Sequence, residues 1–321
     1  MVKALSVNQT AWQKAQQFLD NPDYFGVEIT KSTAGATIID AGVKASGGFA
    51  AGKLFTELCL GGAGTVELGY KSYGDIDFPS VTITSDHPAI AMLGSQFAGW
   101  RIKDGDNIAI GSGPARAIAL KPKEIYEEIH YTDQSDKAVI TLESNVLPSD
   151  VLIEKVLKNC PNVPAQNLIV VVAPTASVAG LTQVTGRVVE VGIHKLHTLG
   201  LDPKAIRYAM GYAPIPPVGP DFEVAMARTN DVILYGGTVY LTVDYDDEAK
   251  LQQLVKDAPS INSKDYGKPF LQIFIDAGKD FYKIDPGLFA PAVLMINNAK
   301  TGRTFKAGHI NSKVLAQALG F

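Results

Sequence analysis

Charge and cysteine are both scarce in this chain. Only 19% of its 321 residues are charged, and only Cys59 and Cys160 are cysteines. The two thiols lie far apart and form no CxxC. That argues against structural zinc and a disulfide framework and suits a reducing cytoplasm. The 29 basic and 33 acidic residues leave a net charge of −4, without the basic excess that a nucleic-acid partner requires. No apolar run reaches the roughly 18 residues of a membrane span. The first 20 residues break every apolar run with polar side chains, unlike a signal peptide. Neither a short-period repeat nor a low-complexity linker occurs. The expectation is a soluble cytoplasmic protein that binds neither nucleic acid nor membrane.

What is present is apolar: 46% of the residues are hydrophobic, over a length that suits two domains. Asn8 or Thr10 is placed to cap a first helix ending near Leu19, before the NPD of 21–23. Residues 26–43 alternate apolar and polar around a glycine turn and predict a hairpin. Strands are predicted over 80–84, 137–142, 168–172, 231–237 (DVILYGG), 238–245 (TVYLTVDY), 292–298 and 303–306. Helices are predicted from Pro88 to Ala98, over 148–158 and 246–257, and from Ser312 onward. Strands and helices mix without strict alternation, which predicts an α+β class, a two-domain mixed α/β architecture. The expected division lies near residue 130, giving domains 1–130 and 131–321, with the termini free to cross between them.

Several short motifs fall short of a known site. Gly47 to Lys53 fits GxxxxGK, but Leu54 stands where a phosphate loop needs a magnesium-binding hydroxyl. A glycine-rich turn with Lys53 facing an anionic group is the favoured reading. Gly111-Ser112-Gly113-Pro114-Ala115-Arg116 matches only the first half of a dinucleotide fingerprint, with Arg116 at the third glycine. Pro114 would start a helix over 114–120 and direct the N–H groups of Ser112 to Ala115, with Arg116 beside them, at an anion. A plain turn into a helix accounts for the same residues. His194 and His197 have metal-pair spacing but no third ligand, so a solvent-facing pair is favoured and no metal is expected. His87, before Pro88, reads as an ordinary cap. Cys59 reads as core, and GxSxG is missing.

The segment from Leu168 to Leu199 is the most informative. A buried strand, Leu168 to Val172, leads into a loop of small residues, Ala173 to Gly180, which includes Thr175 and Ser177. The segment then predicts a helix with Arg187 and Glu190 on one face, amid Val184, Val188, Val189, Val191 and Ile193. Two charges on a valine-rich segment are costly to bury unless they are paired or used. One reading is an ion pair that ties helix to sheet. The other is functional: a carboxylate so placed can take a proton from water and favours a cationic substrate centre.

Longer words decide more than any of these motifs. AGKLFTELCLGG (51–62), SDHPAIAMLGSQFAGW (85–100), VAPTASVAG (172–180), GRVVEVGIHKL (186–196), TNDVILYGG (229–237) and DFYKIDPGLFAPA (280–292) resemble methenyltetrahydromethanopterin cyclohydrolases, in order and from end to end. The resemblance implies an α+β fold with a deep inter-domain cleft, a cytoplasmic homotrimer, and a place in methanogenesis and related one-carbon metabolism. It implies no metal or redox cofactor, the tetrahydromethanopterin derivative being the substrate. In the implied reaction, water adds reversibly to the bridging carbon of N5,N10-methenyl-tetrahydromethanopterin and yields the N5-formyl form. Arg187 and Glu190 match the residues that hold the hydrolytic water. Phe97 departs from the pattern, since relatives often carry lysine there. Lys53, Ser112, Gly113, Arg116, Thr175, Ser177 and Phe97 are the expected substrate contacts. The alternative is a non-catalytic pterin-binding protein of the same fold.

Overall fold

A computed structural model describes residues 5–321; residues 1–4, the start of the N-terminal segment read above, lie outside the described residues. The strands are β1 (Glu28–Lys31), β2 (Thr37–Asp40), β3 (Thr65–Tyr73), β4 (Ile76–Ser85), β5 (Trp100–Asp104) and β6 (Asn107–Ser112). They continue with β7 (Ala138–Glu143), β8 (Leu168–Ala173), β9 (Ile206–Pro214), β10 (Thr238–Val243), β11 (Val293–Asn298) and β12 (Thr304–Gly308). The α-helices are α1 (Val7–Asp20), α2 (Pro22–Phe25), α3 (Phe49–Cys59), α4 (Ala115–Ala119), α5 (Lys123–Ile129) and α6 (Asp150–Asn159). After them come α7 (Val178–Thr185), α8 (Val188–Thr198), α9 (Phe222–Gly236), α10 (Glu248–Asp257), α11 (Phe270–Asp276) and α12 (Ser312–Leu319). The described chain forms two compact units, one of residues up to Thr65 with Ala89–Gln183, the other of Val66–Pro88 with Val184–Phe321. Residue 130 falls inside the first unit, because β7, which follows it, lies in the interior of that unit's sheet. The class is α+β, as expected.

The first unit's sheet has the order β1-β2-β8-β7-β6-β5. Its middle strands β2, β8 and β7 run parallel, and antiparallel pairs flank them. Alternate residues of a strand face opposite ways. Ile140, Leu142, Leu168, Val170 and Val172 therefore pack on one side with Leu152, Ile153 and Val156 of α6. Val139, Ile169, Val171 and Ala173 pack on the other with Ala11 and Phe18 of α1 and Leu54 and Leu58 of α3. A strand covered on both faces has no polar side, which is why β8 reads as an unbroken apolar run.

Two local expectations need correction here. Ser6 caps α1, its hydroxyl accepting from the Gln9 N–H; neither Asn8 nor Thr10 does. Asn8 is buried instead. Its amide donates to the Pro114 carbonyl and the Asp133 carboxylate, and its carbonyl oxygen accepts from the Val139 N–H. The helix expected after Pro88 is a wide one over Ala89–Gln96, closed by an i→i+5 bond from the Phe97 N–H to the Met92 carbonyl at 2.7 Å.

The second unit's sheet has the order β12-β11-β10-β9-β4-β3. β10 and β11 are parallel, while β9 is antiparallel to both β10 and β4. Helix α8 packs on β9 and β10, α9 on β9, and α10 on β11 and β12. The buried Val239, Leu241, Leu294 and Ile296 lie on this covered face. TVYLTV is strand β10, as expected, but DVILYG is the last turn and a half of α9, not a strand. A short apolar run has no period of its own to separate helix from strand. Here Asp221 caps a 15-residue helix by accepting from the Val224 N–H, and the run is buried against β9, α11 and α12.

That run buries a carboxyl group. Asp231 is 1% exposed, and its Oδ1 accepts from the Phe270 N–H at 2.7 Å. Burial pushes its pKa from 3.8 to about 8. Between those values the folded chain keeps a proton that the unfolded chain releases, so this group's contribution to stability falls as pH rises and is fully lost above about 8. Asp231→Asn keeps the acceptor for Phe270 and removes the titration. By calorimetry the variant is expected to melt about 2–6 °C above the parent at pH 8 and alongside it near pH 4. A constant difference across that range would contradict the buried neutral acid.

Candidate active site

The paired charges of the second unit sit at a break in the chain, not on one continuous helix. Helix α7 ends at Thr185, Gly186 and Arg187 form a turn, and α8 begins at Val188. Arg187 occupies the N-cap position with φ −85° and ψ 0°, and Glu190 lies in the first turn of α8. The Arg187 N–H donates to the Val184 carbonyl, and the Arg187 carbonyl accepts from the Val191 N–H at 2.8 Å. The side chain of Arg187 caps nothing. In place of a cap, a carboxylate stands at the positive end of the helix dipole, with a guanidinium against it. The three-residue spacing read from the sequence therefore survives, with a different local geometry.

Close packing fixes this turn. Val188, Val189 and Ile193 are fully buried. A Cβ on Gly211 of β9 would lie 2.7 Å from Val189, and one on Gly192 of α8 would lie 3.2 Å from Val239 of β10. The glycines thus allow α8 to lie low on the sheet, and that seat presents Glu190 at the helix start.

The pair itself is loose. Arg187 Nη1 lies 3.4 Å from Glu190 Oε2, with the two side chains 11% and 7% exposed. A tight ammonium–carboxylate pair closes to about 2.7–2.9 Å, as Lys14 and Glu57 do at 2.7 Å in the first unit. A strut would gain from closing, so an open, nearly dry pair suits a site that admits a third polar partner such as water.

The first unit has its own polar focus at the carboxyl ends of its parallel strands. Asp40 ends β2, Glu143 ends β7, and β8 feeds the loop that carries Thr175 and Ser177. The Thr175 hydroxyl donates to Glu143 Oε1. The Ser177 hydroxyl donates to the Pro174 carbonyl and accepts from the Gly180 N–H. Asp40 accepts from the N–H groups of Gly42, Val43, Lys44 and Ala45 at 2.6–3.1 Å. These four amides, just ahead of GxxxxGK, are thereby closed on a carboxylate. Gly52 is explained by packing, since a Cβ there would lie 2.6 Å from Thr182. Lys53 is half-buried on α3. Sequence reasoning passed over Asp40 and Glu143. Their signal is an acidic residue closing an apolar strand, where open parallel sheets gather function.

The GSGPARA segment is interior. Ser112 is buried, its hydroxyl 3.0 Å from Thr141 Oγ1. The Gly113 N–H donates to the Ser95 carbonyl at 2.8 Å, and Ser112 pairs with Thr141 within the sheet. Of the amides expected to face an anion, that of Gly113 is therefore already engaged. Arg116 is fully buried and donates to the carbonyls of Lys121, Leu93 and Ser95. Its guanidinium lies 5.4 Å from the Phe97 ring centre and 5.7 Å from that of Tyr126. Phe97 thus supports Arg116, and Arg116 holds the wide helix in place. His194 and His197 lie one turn apart with ring centres 6.5 Å apart. Among the described residues no group of three or more His, Cys, Asp or Glu side chains is placed to hold a metal ion.

An α+β chain with this paired charge belongs to the family described as Cyclohydrolase (MCH), whose model matches residues 6–319. Its relatives are specific. The methenyltetrahydromethanopterin cyclohydrolase of Methanocaldococcus jannaschii is 46% identical over 321 residues, covering 99% of each chain. Proteins of the same name from Methanococcoides burtonii and Methanothermobacter marburgensis are each 44% identical over 321 residues, covering 98% of this chain and 98% and 99% of their own.

The loop that frames the first unit's focus depends on one residue without a side chain. A Cβ on Gly180 would lie 1.9 Å from the Pro174 carbonyl oxygen, whereas one on Gly69 meets nothing within 4 Å. Gly180→Ala is expected to cost about 1–3 kcal/mol in urea unfolding, and Gly69→Ala less than about 0.5. Equal costs would mean that the loop gives way freely.

Proposed function

We propose that this chain catalyses the reversible hydrolysis of N5,N10-methenyl-tetrahydromethanopterin to N5-formyl-tetrahydromethanopterin and a proton. The observation that carries the reading is the nearly dry Arg187–Glu190 pair in a chain of the Cyclohydrolase (MCH) family. The substrate's amidinium spreads a positive charge over N5, the bridging carbon and N10, so that carbon is already electrophilic. Catalysis then consists of placing one water and managing its proton. Glu190 orients the water and accepts its proton as the C–O bond forms. Arg187 keeps the carboxylate in place and donates to the same water. Cleavage of the carbon–N10 bond, as the added oxygen gives up its second proton and N10 gains one, leaves the formyl group on N5 and one proton released to water. The resemblance further supports a homotrimer in the cytoplasm. Among the described residues no helix is long and apolar enough to cross a membrane.

The test is loss of the methenyl absorbance when protein meets methenyl-tetrahydromethanopterin, with methenyl-tetrahydrofolate as the specificity control. Tight binding with no loss of absorbance would select the non-catalytic pterin-binding alternative. Glu190→Gln is expected to lower kcat by about 10²- to 10⁴-fold, the range of a lost general base, with the circular dichroism spectrum unchanged. Full turnover in that variant would remove Glu190 from the mechanism.

A further inference from the structure

Two neighbouring strands of the first unit's sheet part company at their carboxyl ends. β7 and β8 run parallel, with Glu143, the last residue of β7, paired to Ala173, the last of β8. From Glu143 the chain leads to α6, whose Leu152, Ile153 and Val156 pack on one face of the sheet. From Ala173 it leads through Thr175 to α7, whose Ala179 packs on the other face together with α3. Adjacent parallel strands whose connections leave for opposite faces open a crevice between their carboxyl ends, and open sheets bind ligands at such a switch point.

One polar group at this switch point is incomplete. The Thr175 hydroxyl, 1% exposed, donates to Glu143 Oε1. Among the described residues Glu143 Oε2 makes neither a hydrogen bond nor an ion pair. The carboxylate that ends the neighbouring β2 differs, since both oxygens of Asp40 are closed on main-chain amides. Glu143 itself is half-buried, and the loop that leaves β7 exposes Val146 at 38%, an apolar surface for the face of a ring.

An ionised carboxylate only accepts, so its complement is a cation or a pair of parallel N–H donors. A metal ion would need further ligands, and no such group is placed among the described residues. The substrate proposed above carries a donor pair on its pterin ring, where N3–H and the 2-amino group stand side by side.

We infer that Glu143, steadied by Thr175, recognises the 2-amino-4-oxo-pyrimidine edge of the pterin by accepting from both donors. The inference rests on the hydrolytic reading for the identity of the ring and adds the side chain that selects it.

The test compares two fluorescent rings, 6-methylpterin and 6-methyllumazine, which carry an amino and an oxo group at carbon 2. Titration of the full chain is expected to show methylpterin bound at least about tenfold more tightly, because the oxo group turns an acceptor toward the carboxylate. Glu143→Gln exchanges one acceptor for a donor and is expected to bring that ratio to about one or below. A purely structural Glu143 would lower both affinities together. A parent that binds the two rings alike, or a folded Glu143→Gln that keeps the parent's ratio, would overturn the proposal. Should Glu143→Gln fail to fold, Thr175→Val serves in its place. It releases the carboxylate and is expected to weaken methylpterin more than methyllumazine; an unchanged ratio would overturn the proposal equally. A parent that hydrolyses the methenyl substrate yet binds both rings alike would sink this inference alone. A parent that prefers methylpterin but leaves the methenyl absorbance unchanged would sink the hydrolytic reading and sustain this one.

Discussion

A guanidinium and a carboxylate held 3.4 Å apart in a turn that is almost dry form the contact on which this account depends. Such a pair is expensive. Removing two charges from water costs several kcal/mol per ion, and mutual attraction repays that only when geometry is close and every remaining lone pair is satisfied. The Arg187–Glu190 contact, at 3.4 Å, does not meet the first condition. It persists because the chain around it is over-determined: Gly186 breaks one helix, Val188 and Val189 anchor the next, and Gly211 and Gly192 let that helix settle on β9 and β10. Binding energy of the fold is thus used to hold a carboxylate where a helix start favours negative charge and water is scarce.

The same logic separates this pair from the polar residues that hold the fold. Asp40, Asn8 and Arg116 each have several short hydrogen bonds to main-chain groups. Buried groups satisfied in this way specify the fold. Asp40 closes the loop after β2, Asn8 ties α1 to β7, and Arg116 ties the wide helix to the turn after α4. Phe97 belongs with them, since its ring lies against the Arg116 guanidinium. At this position the chain presents an aromatic ring to a buried cation.

Much of the fold was legible in the sequence, and the misses have physical causes. The hairpin of β1 and β2, the all-buried β8 and the strand–turn–strand of β11 and β12 follow from period-two alternation, apolar runs and glycine turns. DVILYG misled because six apolar-rich residues look alike in a buried strand and a buried helix; the deciding signal, Asp221 as a cap, lies ten residues earlier. The residues Arg187 and Glu190 were legible as an anomaly of charge among valines. The break at Gly186 was not, because glycine is tolerated inside helices. Ser112, Gly113 and Arg116 promised an anion site from their types, but which way an amide points is decided by strand pairing far away in sequence.

The most direct test of the central claim is whether the two charged residues act as one unit. A double-mutant cycle on single-turnover rates with Arg187→Ala, Glu190→Gln and both together measures this. If they hold one water between them, either single change removes most of the rate, and the double variant is no slower than the slower single, within about threefold. If instead the losses multiply, the two side chains work independently, and the account of a shared, pair-bound water is wrong.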